Sequence, residues 1–194
     1  MADYVTTILM FDDVLKEKIL NREGFVDFNI LVPMPPNIYT GSLGVEEFKK
    51  YGENNWHDWR NKYWGTNSNA ESQKIISSHG INYARFDTAY NTPINWLNRL
   101  AKYGNFIFAY AGEDLGHTCG IIEVVDGSIM SMKSDRLGLT FEERHVLSCA
   151  IKGYDRDGMI DYFGECPSME GMYDKFDEIL AGVLPDGFKP FFSE

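Results

Sequence analysis

Three of the chain's four tryptophans, Trp56, Trp59 and Trp64, fall within nine positions, and the run ends in Gly65-Thr66-Asn67. An indole has a large apolar face and one N–H that needs a partner when buried, so such a cluster is a core plug or a recognition surface. Thr66 and Asn67 bring a hydroxyl and an amide to a tight turn, and Asp87 with Thr88 joins them if that strand end and the turn converge. Aromatic faces edged by such polar groups suit a planar, polar ligand. The competing reading buries the stripe on a sheet and leaves the turn residues capping their own backbone.

Asp155, Asp157 and Asp161 form an acidic group with Gly158 and Glu165. Setting Gly158 at the sixth position of a calcium loop puts Gly153 first and Gly164 twelfth, where carboxylates are required, so a solvated acidic loop is expected instead. His117, Cys119, His145 and Cys149 offer zinc ligands, but they lack the close CxxC spacing of a zinc site, and small buried thiols are expected. There is no GxSxG, no P-loop and no GxGxxG after a strand. The residues therefore point to binding and not to catalysis, with no metal and no cofactor expected.

The formal net charge is −11, and residues 105–194 carry 17 acids against 7 bases while residues 1–104 carry 12 against 11. That balance repels phosphate backbones, which disfavours direct nucleic-acid binding, and it offers the second half to a basic partner surface. The cysteines, Cys119, Cys149 and Cys166, are odd in number and widely spaced, and Met1-Ala2-Asp3-Tyr4 has no basic region followed by an apolar run. Free thiols in a reduced cytoplasm are expected. No apolar run approaches the roughly 18 residues a bilayer span needs, so no membrane partner is expected.

Several elements must position these groups. Tyr4 to Phe11 reads as a strand, Val14 to Leu20 as a short helix, and Phe25 to Val32 as a second strand broken by Pro33. Val45 to Tyr51 and the Trp56, Trp59, Tyr63 stripe read as helices, the second ended by Gly65. Ile81 to Tyr90 is a strand, and Thr92-Pro93 starts a helix with a hydroxyl N-cap and proline in its first turn. Asn105 to Tyr110 and Cys119 to Val125 read as antiparallel strands before a turn at Asp126-Gly127. Thr140 and Glu143 have capping-box spacing, and Ser168 to Ala181 reads as a last amphipathic helix.

Asp27 to Pro35, the Trp64 to Ala70 run, and Arg85 to Pro93 with its helix together resemble the YubB-like family, phage- and plasmid-encoded proteins with a ferredoxin-like domain. The hairpin from Tyr110 to Gly127, with Cys119-Gly120, is also similar to that family, although Asn67-Ser68 stands where the family more usually has Lys-Trp. The order of the elements above fits an α+β fold, a ferredoxin-like sandwich whose mostly antiparallel sheet carries helices on one face, and the resemblance implies the same over residues 1–128. Residues 129–194 would pack on it as an acidic helical extension. The resemblance also implies a phage or mobile-element accessory protein acting in the host cytoplasm as a counter-defence inhibitor that occupies a host protein, and the acidic second half would suit a basic surface on that partner. The alternative is a sponge that sequesters an anionic nucleotide signal at the tryptophan run.

Overall fold

The computed structural model describes residues 3–164 and 169–188. Tyr4–Asp12 forms β1, and Asp12 caps the 3-10 turn that follows by accepting from the Val14 N–H at 3.0 Å. Four short helices come next: α1 (Lys16–Ile19), α2 (Phe28–Leu31), α3 (Val45–Tyr51) and α4 (Trp56–Tyr63). Strands β2 (Glu71–Ser78) and β3 (Ile81–Ala89) lead to α5 (Ile94–Leu100), then β4 (Phe106–Ala111), β5 (Cys119–Val125) and β6 (Ser128–Ser134). The chain continues through α6 (Phe141–Lys152), α7 (Arg156–Phe163), α8 (Glu170–Asp174) and α9 (Phe176–Val183).

The six strands form one α+β sheet in the order β2-β3-β1-β4-β5-β6, and every neighbouring pair is antiparallel. Alternation sends Leu9, Phe86 and Phe108 to one face, where they pack with Phe28, Trp59, Trp64 and Trp96 from the helices before β4. Ile8, Ile107, Ala109 and Ile121 point to the other face, against Leu147 and Ile151 of α6 and Val183 of α9. The central strand β1 is thus buried on both sides, which accounts for its nearly unbroken apolar run. Helices cover both faces of the sheet: α1, α2, α4 and α5 lie on the first, and α6 with the end of α9 on the second, where α7 and α8 pack against α6 and α9. The boundary expected at residue 128 falls on the first residue of β6, which is hydrogen-bonded to β5.

Five local readings need correction. The strand expected over Phe25–Val32 is not formed: Val26 makes only an isolated bridge with Leu20, and Asp27 caps α2 by accepting from the Asn29 N–H at 2.9 Å. Asn69 also accepts from the Phe28 N–H, so side chains take the donors a ladder would have used. Strands β2 and β6 are the sheet edges and expose most of their residues, apolar ones such as Ile129 and Met130 included, so their sequences carried no alternation signal. At α5, Pro93 occupies the N-cap and the Thr92 side chain makes no cap; the Thr92 carbonyl accepts from the Ile94 N–H at 2.7 Å.

The acidic stretch after Gly153 is helical and not a loop, because Asp155 caps α7 by accepting from the Gly158 N–H at 2.9 Å. The last helix is broken at Lys175 into α8 and α9, while its expected start at Ser168, like Cys166, lies outside the described residues. The Thr140 capping box is present, with Glu143 accepting from the Thr140 N–H at 2.7 Å and Gly153 closing α6 at φ +88°. Among the described residues, no helix is long and apolar enough to cross a membrane.

Candidate functional site

Asn55 fixes the start of α4, its side chain accepting from the Asp58 N–H at 2.9 Å. The Asn55 amide in turn donates to Asp58, which with the neighbouring His57 holds the Asp58 carboxyl below the usual range. Helical spacing then splits the aromatic run. Trp59 and Tyr63 turn toward the core, while Trp56 and Arg60, four residues apart, stand on an accessible side.

The turn after α4 is built by close approach. Gly65 has φ +91°, and a Cβ there would lie 3.0 Å from the backbone nitrogens of Ile94 and Asn95, so only glycine lets α4 meet α5. The chain next crosses the end of β3, where the Thr66 hydroxyl donates to the Ala89 carbonyl at 2.8 Å and Ser68 Oγ accepts from the Ala89 N–H at 2.9 Å. These bonds pin the turn to the sheet in place of a ladder.

The expected site residues therefore separate. Trp64 is fully buried, meets Phe28 and Trp59 edge to face, and donates its indole N–H to the Val32 carbonyl at 3.0 Å. Trp59, Thr66 and Thr88 are buried as well, with the Thr88 hydroxyl donating to the Asn91 carbonyl at 2.8 Å. Asp87 lies on the opposite sheet face, accepting from the Thr6 hydroxyl at 2.7 Å, and does not join the turn. Asp155 is an N-cap, and Asp157 and Asp161 stand exposed on α7, an element that makes no part of the tryptophan cleft. Trp56 and Asn67 are brought together.

They line an open cleft of about 850 Å³ with Arg60, Glu71, Tyr90 and Asn91. The Arg60 guanidinium lies 5.1 Å from the Trp56 ring centre and 5.2 Å from that of Trp64, a stacked cation between two indoles. Arg60 Nη1 donates to the Asn67 carbonyl at 3.2 Å, while its buried Nε has no partner among the described residues. Burial lowers the pKa of this group and Glu71 works against that shift, yet arginine stays cationic in any ordinary solution. Trp56 is held from outside the cleft, its indole N–H donating to the Gly41 carbonyl at 3.0 Å. Tyr90 is about half exposed and has φ +68°, a strained backbone for a bulky side chain. A flat aromatic edge, one cation and several amides can hold a planar anion.

Arg60, Glu71 and Tyr90 were not among the expected site residues. The spacing of Arg60 from Trp56 was visible in the sequence, but only the fold brings Glu71 and Tyr90 to the same cleft. Among the described residues, no three His, Cys, Asp or Glu side chains gather to hold a metal ion. His145 is buried with Nδ1 2.8 Å from the Phe141 carbonyl, and Cys119 lies 3.7 Å from the Arg144 carbonyl.

Burial pushes the Cys119 thiol up to about 11 and the Cys149 thiol up to about 12, against an ordinary 9.0, so neither is a thiolate nucleophile. In the unfolded chain both ionise near 9, while the folded protein keeps their protons to higher pH. The stabilisation is complete below pH 9 and is lost as pH rises toward 11 and 12. The melting temperature is expected to fall from pH 9 upward, and to fall less steeply in a Cys119→Ala, Cys149→Ala double variant. Identical slopes in the two proteins would contradict this.

Fold and cleft together define an α+β protein with an open, polar, aromatic-edged cleft. No protein family, no curated protein and no solved structure matches the chain.

Proposed function

We propose that the chain is a non-enzymatic binding protein of a phage or other mobile element, acting in the host cytoplasm by sequestering an anionic nucleotide signal. The observation that carries this is Arg60, stacked between Trp56 and Trp64 in a cleft edged by Tyr90, with a carbonyl as its hydrogen-bond acceptor. A cation in that setting, with no carboxylate among the described residues bonded to it, favours an anion, and an exposed aromatic edge favours a stacked base. The mobile-element setting rests on the resemblance to the YubB-like family. So does the ferredoxin-like reading of residues 1–128, which the β2-β3-β1-β4 order and the helices preceding β2 and β4 support. Isothermal titration with AMP and GMP tests the function. Saturable binding is expected in the native protein, and loss of it in an Arg60→Met variant.

A second reading, inhibition of a host protein with a basic surface, is favoured by the exposed carboxylates of Asp157 and Asp161, one turn apart on α7. Asp174 adds a third, 3.7 Å from Arg156. Converting Asp155, Asp157 and Asp161 to asparagine neutralises this face and preserves the cap at position 155, since asparagine is an equally good N-cap. Association with a partner captured from host lysate is expected to slow in that variant, and in the native protein to slow as salt rises to about 0.15 M, where screening sets in beyond roughly 8 Å. Rates indifferent to both changes would remove this reading.

A further inference from the structure

We infer that the cleft is bipolar and takes an anionic nucleotide, with Arg60 on the anionic group and the Glu71 carboxylate accepting from an adjacent pair of hydrogen-bond donors on the ligand. This rests on the nucleotide reading above and assigns a role to a residue which that reading leaves unexplained. A carboxylate lining an anion cleft repels the ligand unless it bonds to it, and Glu71 lines the same cleft as Arg60 and Tyr90. Its side chain is exposed, and the Tyr4 hydroxyl is a distant donor to it at 3.5 Å. Both carboxylate oxygens therefore keep acceptor capacity for a ligand.

The backbone holds Glu71 in this position by a local irregularity. The β2–β3 register shifts between Glu71 and Lys74, and Ser72 inside that bulge has φ +49°. Tyr90, which follows the end of β3 and lines the same cleft, has φ +68°. Two non-glycine residues in the left-handed region thus sit beside the carboxylate and the aromatic edge. Strain of this kind is costly and collects at binding sites. Burial supplies the rest of the asymmetry: Arg60 is half-buried, its charge favoured by Glu71, whereas Glu71 itself meets solvent.

Two parts of a ribonucleotide present adjacent donors with the spacing of a carboxylate. One is the ribose 2′,3′-diol, and the other is the N1–H and N2–H edge of guanine. Adenine offers an acceptor beside its amino group and would not satisfy both oxygens.

The test is calorimetric titration of the native protein and of Glu71→Gln with GMP, dGMP, AMP and dAMP. Because Glu71 is exposed, the variant should keep its melting temperature, which is measured in parallel. Relief of charge repulsion alone would make Glu71→Gln bind anions more tightly. The paired-donor role makes it bind more weakly, by about 10- to 100-fold for a charge-assisted contact. Binding of GMP and AMP but not of their deoxy forms identifies the diol, and binding of GMP and dGMP but not of AMP identifies guanine; either supports the inference. Native binding that is unchanged or strengthened in Glu71→Gln overturns it and leaves the sequestration reading standing. No native binding of any of the four overturns both.

Discussion

Trp64→Ala is expected to destabilise the protein by about 3–5 kcal/mol, the range for removing a large aromatic side chain from a closed core. Trp64 has no exposed surface, packs edge to face on Phe28 and Trp59, and carries Arg60 over its ring. Its loss opens a cavity under α4 and strands the buried Val32 carbonyl, which now accepts the indole N–H. Domains of this size are stable by roughly 5–15 kcal/mol, so the variant should melt about 10 °C lower or fail to accumulate. Trp56→Ala is the control: Trp56 is only partly buried and edges the cleft, so its removal should cost much less stability. Urea and thermal unfolding of the two variants measure the contrast, and equal losses would mean that the two tryptophans do not divide between core and cleft.

Arg60→Met should produce the largest functional effect, a fall of roughly 100-fold or more in nucleotide affinity, equivalent to about 2.7 kcal/mol. Methionine keeps an unbranched stem that can lie on Trp56 and Trp64, so packing survives while the charge and the fork of donors are removed. Stability should stay within about 1 kcal/mol, because the buried Nε already lacks a partner among the described residues and the variant no longer desolvates a cation. Arg60→Lys should fall between the two proteins, since lysine restores the charge without the planar contact to the indoles. Titration with GMP beside a thermal melt reads both quantities. Full affinity in Arg60→Met would end the proposal that this cleft binds an anion.

Much of the architecture was legible because it depends on local patterns. The apolar, β-branched stretch of β1, a helix over Trp56 to Tyr63 and the Thr140 capping box each rest on local signals, and each is present, although Trp56 leaves the buried face that Trp59 and Tyr63 share. Glycine signals held for a similar reason: Gly65 and Gly153 stand at positive φ, where a side chain would be strained. Elements whose stability comes from remote partners were not legible. Strands β2 and β6 are exposed edges held by one neighbour, and Phe25–Val32 has strand-like composition but gives its donors to Asp27 and Asn69.

The candidate site divides along the same line. By itself, the sequence established that tryptophans, a tight Gly-Thr-Asn turn and a nearby arginine lie within a dozen residues, and that the C-terminal half is acidic. Periodicity cannot tell which face of a helix meets a sheet, so it could not separate Trp56 from Trp59 and Trp64. Tertiary packing made that separation: the buried face closes on Phe28 and Trp96, and the other stays open beside Arg60. Packing also put Asp87 on the far face of the sheet and used the Thr66 hydroxyl to hold the end of β3. Glu71 and Tyr90 reach the cleft only because β2 pairs with β3 and the Thr66 turn docks on the end of β3, contacts between segments that no local pattern encodes.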